Sequence, residues 1–254
     1  TDLRDRDLVF PALHGGDGED GHVQAVLDLL GVPYALSGQL ASALAMDKAV
    51  SKRIMLGAGI RTPDWLLVTW ARATAGPVVV NGSTPSGEVA GGGALSVAHV
   101  CDRALGELRL PLVVKLNSGG SSVGVEIVER PDQFLPAFDR VTEVATGDQI
   151  DILLERFVPG RELTATVLLG RRLPLVEIRP HAGFYDYGNK YTAGATEYLA
   201  PAPVNSPHYE EMCADAQRLY DLLGCRGLAR VDFRFDGERA WCLELNTVPG
   251  MTDL

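Results

Sequence analysis

Apolar and polar residues alternate most regularly near the C-terminal end of the chain, in residues 229–235 (ARVDFRF) and 241–247 (WCLELNT). A period of two is typical of a β-strand that buries one of its faces. The residues between them, DGERA, favour a turn, so the pattern predicts an antiparallel hairpin. We expect the turn to be centred near Glu238, which sets the register of the two strands.

In that register Asp232 lies opposite Glu244 on one face of the hairpin. Arg230 lies opposite Asn246 on the same face. The other face is expected to carry Val231, Phe233, Leu243 and Leu245. Two carboxylates and a carboxamide form a cluster of hard oxygen ligands that suits Mg²⁺. An amphipathic hairpin whose polar face meets only water would show the same pattern, so both interpretations stay open at this point.

The N-terminal part of the chain shows strand and helix patterns in alternation. A short apolar strand over residues 8–13 is followed by a glycine-rich loop, a helix and a second short strand over residues 32–35. This order suggests the end of an α/β layer rather than a complete domain. A second helical stretch is expected over about residues 39–57.

The central and C-terminal parts add four strands and one well-bounded helix. The strands are expected as two pairs, residues 111–115 with 125–128, and residues 152–158 with 162–168. The helix spans residues 207–223, with Ser206 as its cap and Gly224 as its end. Residues 83–96 show no periodicity and are expected to form an exposed loop.

Composition limits the classes of function. The net charge is −10 and no basic tail or stripe occurs, which argues against a general binder of nucleic acid or anionic membranes. The four cysteines have no CxxC spacing, so we expect buried thiols in a reducing compartment rather than a zinc site or disulfides. No apolar run approaches membrane-spanning length and no signal peptide is evident, so a cytoplasmic protein is expected.

A glycine- and serine-rich turn, residues 117–124 (NSGGSSVG), lies between two predicted strands. Its glycines let backbone N–H groups approach an anion, and Ser121 and Ser122 add hydroxyl donors. Lys115, directly upstream, offers a cation to the same phosphate. The turn lacks the Walker spacing, and a merely flexible turn remains the alternative.

Two further candidates lie nearer the N-terminus. Lys48 offers a second cation, although with Lys52 and Arg53 it equally fits a solvated helix face. His14 precedes a glycine-rich loop that contains Glu19, and a loop at a strand end is a natural substrate site in α/β folds.

Two segments further along suggest a base site and a lid. Residues 154–158 (LERFV) place the Glu155 carboxylate beside apolar residues, as a purine site requires, although a plain strand end has the same sequence. Residues 183–198 contain four of the seven tyrosines and no strand or helix period. Such a loop suits a lid that excludes water from a site, and a surface loop packed by its own rings is the alternative.

Six segments, read in order, resemble the D-alanine–D-alanine ligase family of ATP-grasp enzymes. They are residues 13–21, 42–48, 120–124, 183–194, 229–232 and 244–252. The resemblance implies an α/β chain of the α+β ATP-grasp type. It implies a partial N-terminal α/β substrate domain, a central ATP-grasp lid subdomain, and a C-terminal ATP-grasp, Mg²⁺-binding subdomain with an antiparallel sheet, in residues 1–36, 37–155 and 156–254.

The resemblance also implies a reaction. ATP phosphorylates the carboxylate of D-alanine, and the amine of a second D-alanine attacks the acyl phosphate. The products are D-alanyl-D-alanine for peptidoglycan precursor synthesis, ADP and phosphate. The implied cofactors are ATP and two Mg²⁺ ions, with Mn²⁺ as a substitute, and the implied partners are small molecules rather than nucleic acid or membrane. The implied assembly is a homodimer.

Carried over position by position, the family's functional residues fall into groups. The nucleotide phosphates would be contacted by Lys48, Lys115 and Ser122. The adenine would be framed by Glu155, Phe157 and Val158, with Glu162 on the ribose. Magnesium would be held by Asp232, Glu244 and Asn246. The oxyanion of the tetrahedral intermediate would be stabilised by Arg230, with Ser121 and Tyr191 hydrogen-bonding as the site closes. The D-alanine site would be served by His14, Glu19 and Lys190.

The chain departs from the family pattern in four ways. The family begins with a strand–helix unit that carries a glutamate for the first D-alanine, and it continues into a Ser-Leu pair and a final helix for the second. We expect both to be missing from this stretch, which would leave the amino-acid sites incomplete and make residues 1–254 alone a poor ligase. Leu116 stands where proline is usual, and Gly119 where glutamate is common.

Two other functions stay open. One is a related ATP-grasp ligase with a different acceptor, such as D-serine, D-lactate or a secondary-metabolite amino acid. Lys190 and Tyr191 in the lid favour an amine acceptor over a hydroxy acid. The other is a non-catalytic nucleotide-binding fragment, against which the retained charges of Lys115, Arg230 and Asp232 argue.

Overall fold

A computed structural model describes residues 3–71, 76–82, 96–120, 124–180 and 196–250. Within these ranges the helices are α1 (His22–Leu30), α2 (Gln39–Met46), α3 (Lys48–Gly57), α4 (Val97–Glu107), α5 (Phe134–Val144) and α6 (Ser206–Leu222). The strands are β1 (Trp65–Ala71), β2 (Gly76–Gly82), β3 (Leu112–Leu116), β4 (Val125–Val128), β5 (Gln149–Arg156), β6 (Arg161–Leu168), β7 (Arg171–Arg172), β8 (Val176–Pro180), β9 (Thr196–Leu199), β10 (Leu228–Phe235) and β11 (Ala240–Asn246). None of these helices combines the length and the apolar character needed to cross a membrane.

The chain divides into two compact units. The discontinuous unit comprises Thr1–Thr62 and Pro159–Leu254, and the continuous unit comprises Pro63–Val158. Each unit contains one antiparallel sheet and its own apolar core. The division into three domains that the sequence suggested stays a prediction.

In the continuous unit a five-stranded sheet has the order β2-β1-β5-β3-β4. Helices α4 and α5 contribute Val100, Ala104, Phe134 and Phe138 to the core on this sheet, all at most 1% exposed. The alternate residues Val114 and Leu112 of β3 complete the packing. Strands β3 and β4 pair antiparallel, so the strand pair predicted on either side of the glycine-rich turn is confirmed.

In the discontinuous unit the sheet has the order β11-β10-β6-β8-β9, with β7 paired to β6. The α6 residues Met212 and Leu219 pack on Val231 and Phe233 of β10, which confirms the apolar stripe expected for this helix. The predicted cap was wrong. Ser206 is the first residue of α6 itself, because the N-cap position falls one residue earlier, where no side chain caps the helix.

Residues 152–158 and 162–168 form strands, but the prediction that they pair with each other was wrong. Strand β5 pairs with β1 and β3 in one sheet, whereas β6 pairs with β10 and β8 in the other. Both edges of each strand are therefore occupied by strands other than the predicted partner. Closeness along the chain does not decide pairing when each strand is central in its own sheet.

Two other expectations need correction. The strands expected over residues 8–13 and 32–35 reduce to a single parallel bridge between Val9 and Tyr34. The helix expected over residues 39–57 is broken at Asp47, whose backbone is extended and whose carboxylate accepts a hydrogen bond from the N–H of Val50. Aspartate favours such a cap over the helix interior, so a new helix starts directly after it.

Candidate active site

The β10–β11 hairpin has the register that the sequence predicts. Asp232 pairs with Glu244, and Arg230 pairs with Asn246. We call the side that carries Arg230, Asp232, Glu244 and Asn246 the hairpin face. Its turn is closed by Asp236, whose carboxylate accepts hydrogen bonds from the N–H of Glu238 and Arg239 and from Trp241 Nε1. The shared face confirms the geometric part of the prediction, whereas the metal-binding role remains to be tested.

The opposite face of the hairpin differs from expectation at one position. The register shifts after Asp232, so Phe233 faces Cys242 rather than Leu243. Cys242 is 1% exposed and belongs to the core, whereas Leu243 is half-buried. The prediction that Leu243 lies opposite Phe233 on the apolar face was wrong, because a β-bulge sets two residues opposite one and shifts the alternation beyond it.

Each carboxylate on the hairpin face lies beside a cation. Arg230 donates to both oxygens of Asp232, from Nε to Oδ1 at 2.8 Å and from Nη2 to Oδ2 at 2.8 Å. Lys48 Nζ lies 3.3 Å from Glu244 Oε2. A bidentate guanidinium–carboxylate pair is among the stronger side-chain contacts, so the face is electrostatically balanced without any bound ion.

The interpretation of Lys48 as part of a solvated helix face was wrong. Lys48 is the first residue of α3, placed there by the break at Asp47, and it is only 6% exposed. Lys52, one turn later, is fully buried and donates to Thr62 Oγ1 at 2.6 Å. Only Arg53 of the three basic residues is exposed. A buried ammonium requires partners, which the hairpin face supplies for Lys48.

His14 and Glu19, both predicted to serve the D-alanine site, lie together. His14 Nδ1 is 3.5 Å from Glu19 Oε1 and 3.1 Å from the carbonyl oxygen of Val248. The N–H of Val248 in turn donates to Asn246 Oδ1 at 2.9 Å. A carboxamide oxygen has two lone pairs, so Asn246 Oδ1 can accept this hydrogen bond and still serve as a metal ligand. These contacts connect the N-terminal loop to the end of the hairpin face.

In the continuous unit the structure brings Lys115 and Glu155 together. They lie on adjacent strands, 8% and 2% exposed, with Lys115 Nζ donating to Glu155 Oε1 at 2.9 Å. Phe157 follows β5 and donates its N–H to the carbonyl of Pro111, and Val158 is 4% exposed. The predicted phosphate and adenine residues of this unit are therefore close along one strand pair.

Four of the predicted site residues lie outside the described part of the chain. Ser121, Ser122, Lys190 and Tyr191 lie outside the described residues, as do most of the predicted loop at 83–96 and most of the tyrosine-rich segment. Their roles stay predictions.

Sequence reasoning missed one residue. Arg234 continues the alternation of Arg230 and Asp232 on β10, and it pairs with Glu162 of β6 and with Trp241 of β11. The period-two pattern that located the other two residues extends to it. The sequence pattern does not indicate its partner on β6, Glu162, which is far away along the chain.

The chain is similar to proteins of known family over nearly all of its length. The family model described as D-ala D-ala ligase C-terminus matches residues 93–254, and the one described as D-ala D-ala ligase N-terminus matches residues 1–37. The D-alanine–D-alanine ligase of a Synechococcus species is 42% identical, over 97% of this chain and 67% of that protein. That of Desulforudis audaxviator is 43% identical, over 98% of this chain and 73% of that protein.

Solved structures agree. The D-alanine–D-alanine ligase of Bacillus anthracis complexed with ATP is 32% identical with a TM-score of 0.71, over 98% of this chain and 70% of that one. The VanG D-Ala:D-Ser ligase of Enterococcus faecalis is 29% identical with a TM-score of 0.74, over 96% of this chain and 64% of that one. The mixed helical and antiparallel ATP-grasp fold expected from the sequence is thereby confirmed. By sequence and by fold, this chain belongs to the D-alanine–D-alanine ligase family.

Proposed function

We propose that this protein is an ATP-dependent ligase that joins two D-alanine molecules into D-alanyl-D-alanine for peptidoglycan precursor synthesis. One observation carries the proposal. The hairpin face combines two carboxylates and a carboxamide with Arg230, and the ammonium of Lys48 is 3.3 Å from Glu244. A site that transfers a phosphoryl group needs both kinds of charge, because it must hold a metal ion and a polyphosphate together.

Asp232, Glu244 and Asn246 fit the role of Mg²⁺ ligands. All three offer oxygen atoms, and their side chains share the hairpin face. Magnesium, for which Mn²⁺ would substitute, would neutralise negative charge on the phosphates when two ions are bound. The Arg230 guanidinium and the Lys48 ammonium, which now contact the carboxylates, would then be available to anionic substrate groups.

The protein's own residues have distinct roles in this proposal. Lys48 and Lys115 bind phosphate oxygens, and Glu155, Phe157 and Val158 surround the adenine. His14 and Glu19 hold the first D-alanine. Arg230 stabilises the oxyanion that forms when the second amine attacks, where a fixed donor contributes most. Ser121, Ser122, Lys190 and Tyr191 complete the closed site.

Activation by phosphorylation supplies the leaving group, so departure of phosphate from the reacting carbonyl needs no general acid, whereas the ammonium of the second D-alanine must lose a proton before its amine can attack. Alignment of the two substrates and charge neutralisation then supply most of the rate enhancement. The proposal includes a cytoplasmic homodimer by analogy with the family.

Phosphate release from ATP in the presence of Mg²⁺ tests the function. D-alanine alone should stimulate release and yield D-alanyl-D-alanine. A preference for D-serine, the acceptor named for the VanG relative, or for D-lactate would identify a different ligase instead. Absence of phosphate release with every acceptor, measured on the full-length protein, would identify a non-catalytic nucleotide-binding protein.

A pair of aspartate variants sharpens the test. Asp232→Asn removes one charge from the hairpin face and should lower the D-alanine-dependent rate by roughly 100-fold or more. Asp236→Asn is the matched control, because this residue lies in the turn of the same hairpin and its amide oxygen still accepts the two backbone hydrogen bonds, with only the bond from Trp241 Nε1 lost. Equal losses in the two variants would contradict the role of the hairpin face.

A further inference from the structure

Arg234 lies where the hairpin face continues onto β6. It follows Arg230 and Asp232 at two-residue intervals on β10, and it pairs across the sheet with Glu162. Partners in an antiparallel pair project from the same face of a sheet. Arg234 and Glu162 are therefore neighbours on the side of the sheet that carries the proposed metal ligands.

The guanidinium of Arg234 makes two contacts with one short stretch of chain. Nη1 donates to Glu162 Oε2 at 3.3 Å, and Nη2 donates to the carbonyl oxygen of Gly160 at 2.8 Å. The side chains of Arg234 and Glu162 are only 12% and 16% exposed. One planar group thus fixes both the backbone of the turn before β6 and the first carboxylate after it.

The turn is held against β10 by a second, independent feature. Gly160 has a φ of +114°, and a Cβ there would overlap the carbonyl oxygen of Phe235. Only glycine allows this approach of one backbone to another. The position of the Gly160 carbonyl is therefore fixed by this backbone contact, independently of its hydrogen bond with Arg234.

Burial makes this arrangement specific to arginine. Desolvation lowers the pKa of Arg234, and the nearby Glu162 carboxylate opposes the change. A charge that is largely removed from water requires fixed partners. A lysine at this position would offer a compact ammonium in place of the planar guanidinium, so it would not reproduce the hydrogen bonds to both Glu162 and Gly160 with the same geometry.

We propose that Arg234 is a positioning residue that orients the Glu162 carboxylate toward the ribose hydroxyls of ATP and thereby sets the preference for ribose over deoxyribose nucleotides. The proposal rests on the proposed function, in which Glu162 contacts the ribose. An ionised carboxylate distinguishes a nucleotide that carries a ribose hydroxyl from one that lacks it only when the carboxylate is held at hydrogen-bond distance from that hydroxyl. Arg234 acts through its contact with Glu162 and is not itself a catalytic residue.

Arg161 provides a matched control for a purely structural role. It adjoins Glu162 but belongs to the opposite face of β6, where Nε and Nη2 donate to the two carboxylate oxygens of Glu177 at 2.7 and 2.6 Å. Its removal should therefore lower stability without changing the selectivity for the sugar.

The experiment measures equilibrium binding by calorimetry, with Mg²⁺ and without D-alanine, so that it does not depend on turnover. The ligands are ATP, 2′-deoxy-ATP and 3′-deoxy-ATP, and the proteins are the full chain and its Glu162→Gln, Arg234→Met, Arg234→Lys and Arg161→Met variants. The wild type should bind ATP at least ~10-fold more tightly than it binds one or both of the two deoxy analogues, and this ratio is the preference for ribose. Arg234→Met should weaken ATP binding by about 10-fold and reduce that preference to the level of Glu162→Gln. Arg234→Lys should be intermediate, and Arg161→Met should keep the preference at a lower melting temperature.

Three results would overturn the inference. These are no preference in the wild type, an unchanged preference in Glu162→Gln, or a wild-type preference in Arg234→Met when Glu162→Gln has lost it. Should Arg234→Met fail to fold, a full wild-type preference in Arg234→Lys would also overturn it. The proposed ligase function is tested separately by D-alanine-dependent phosphate release, so failure of one is distinguishable from failure of the other.

Discussion

Replacing Gly160 by alanine tests how strongly the turn before β6 is fixed. The matched control is Gly237→Ala in the hairpin turn. Gly237 has a φ of +103°, close to the +114° of Gly160, but a Cβ there would meet nothing within 4 Å. Both substitutions impose the same type of backbone strain, and only Gly160→Ala adds a clash with another backbone.

The magnitudes follow from these two surroundings. An L-residue held at positive φ costs about 1–2 kcal/mol, which is the whole expected effect of Gly237→Ala. At Gly160 the clash with the Phe235 carbonyl cannot be relieved by a side chain, so the turn must move. Movement breaks the hydrogen bond from Arg234, and a bond to a charged donor contributes about 1.5–3 kcal/mol. The total for Gly160→Ala is about 2.5–5 kcal/mol.

Urea denaturation followed by circular dichroism measures the free energy of unfolding of both variants. Hydrogen exchange then locates the loss, which should be concentrated in β6 and β10 for Gly160→Ala. For a chain of this size the melting temperature should fall by about 2–4 °C for each kcal/mol. Equal destabilisation by the two substitutions, or unchanged exchange in β6, would refute the argument that close backbone contact fixes the turn.

Three further predictions concern charges and thiols. Lys48→Met removes the ammonium 3.3 Å from Glu244, so Mn²⁺ alone, followed by electron paramagnetic resonance, should bind about 10-fold more tightly while ATP binds more weakly; unchanged Mn²⁺ affinity would contradict this. Burial raises the pKa of the Glu177 carboxyl, but two arginines outweigh it and hold the pKa below the usual 4.5. The stability that the Glu177 carboxylate contributes is present above that value and is lost as pH falls through the lowered pKa. In urea denaturation, Glu177→Gln should therefore have a free energy of unfolding about 2 kcal/mol below that of the wild type at pH 7, and this difference should shrink below pH ~5. A difference that stays constant with pH would argue against this assignment. Burial raises the pKa of Cys225 to about 11, and Cys242 is fully buried, so iodoacetamide at pH 8 should label both only after unfolding; rapid native labelling would show otherwise.

The hairpin was predictable because its information is local. Two alternating strands and a turn of known length fix which residues share a face, and the pairing of Asp232 with Glu244 follows directly. The bulge was not predictable in the same way. It brings Cys242 rather than Leu243 into the core, and alternation in a single strand does not indicate which of the two residues is buried.

The features that the sequence did not reveal depend on long-range contacts. Lys52 resembles any exposed helix lysine until Thr62 is placed beside it. Arg234 and Glu162 are separated by 72 positions, and only the pairing of β6 with β10 joins them. The prediction also paired β6 with the wrong strand, because its partner β10 lies far along the chain and the local pattern does not indicate that pairing.

The paired charges of the hairpin face have a consequence for the order in which ligands load. Arg230 with Asp232, and Lys48 with Glu244, sum to formal neutrality. A divalent ion bound alone would leave the face with excess positive charge, and a polyphosphate bound alone would leave it with excess negative charge. Two divalent ions and one fully ionised ATP carry equal and opposite charges, so their joint binding restores electroneutrality, and each ligand should raise the affinity for the other by the same factor. The face therefore selects the complex of the two over either one alone.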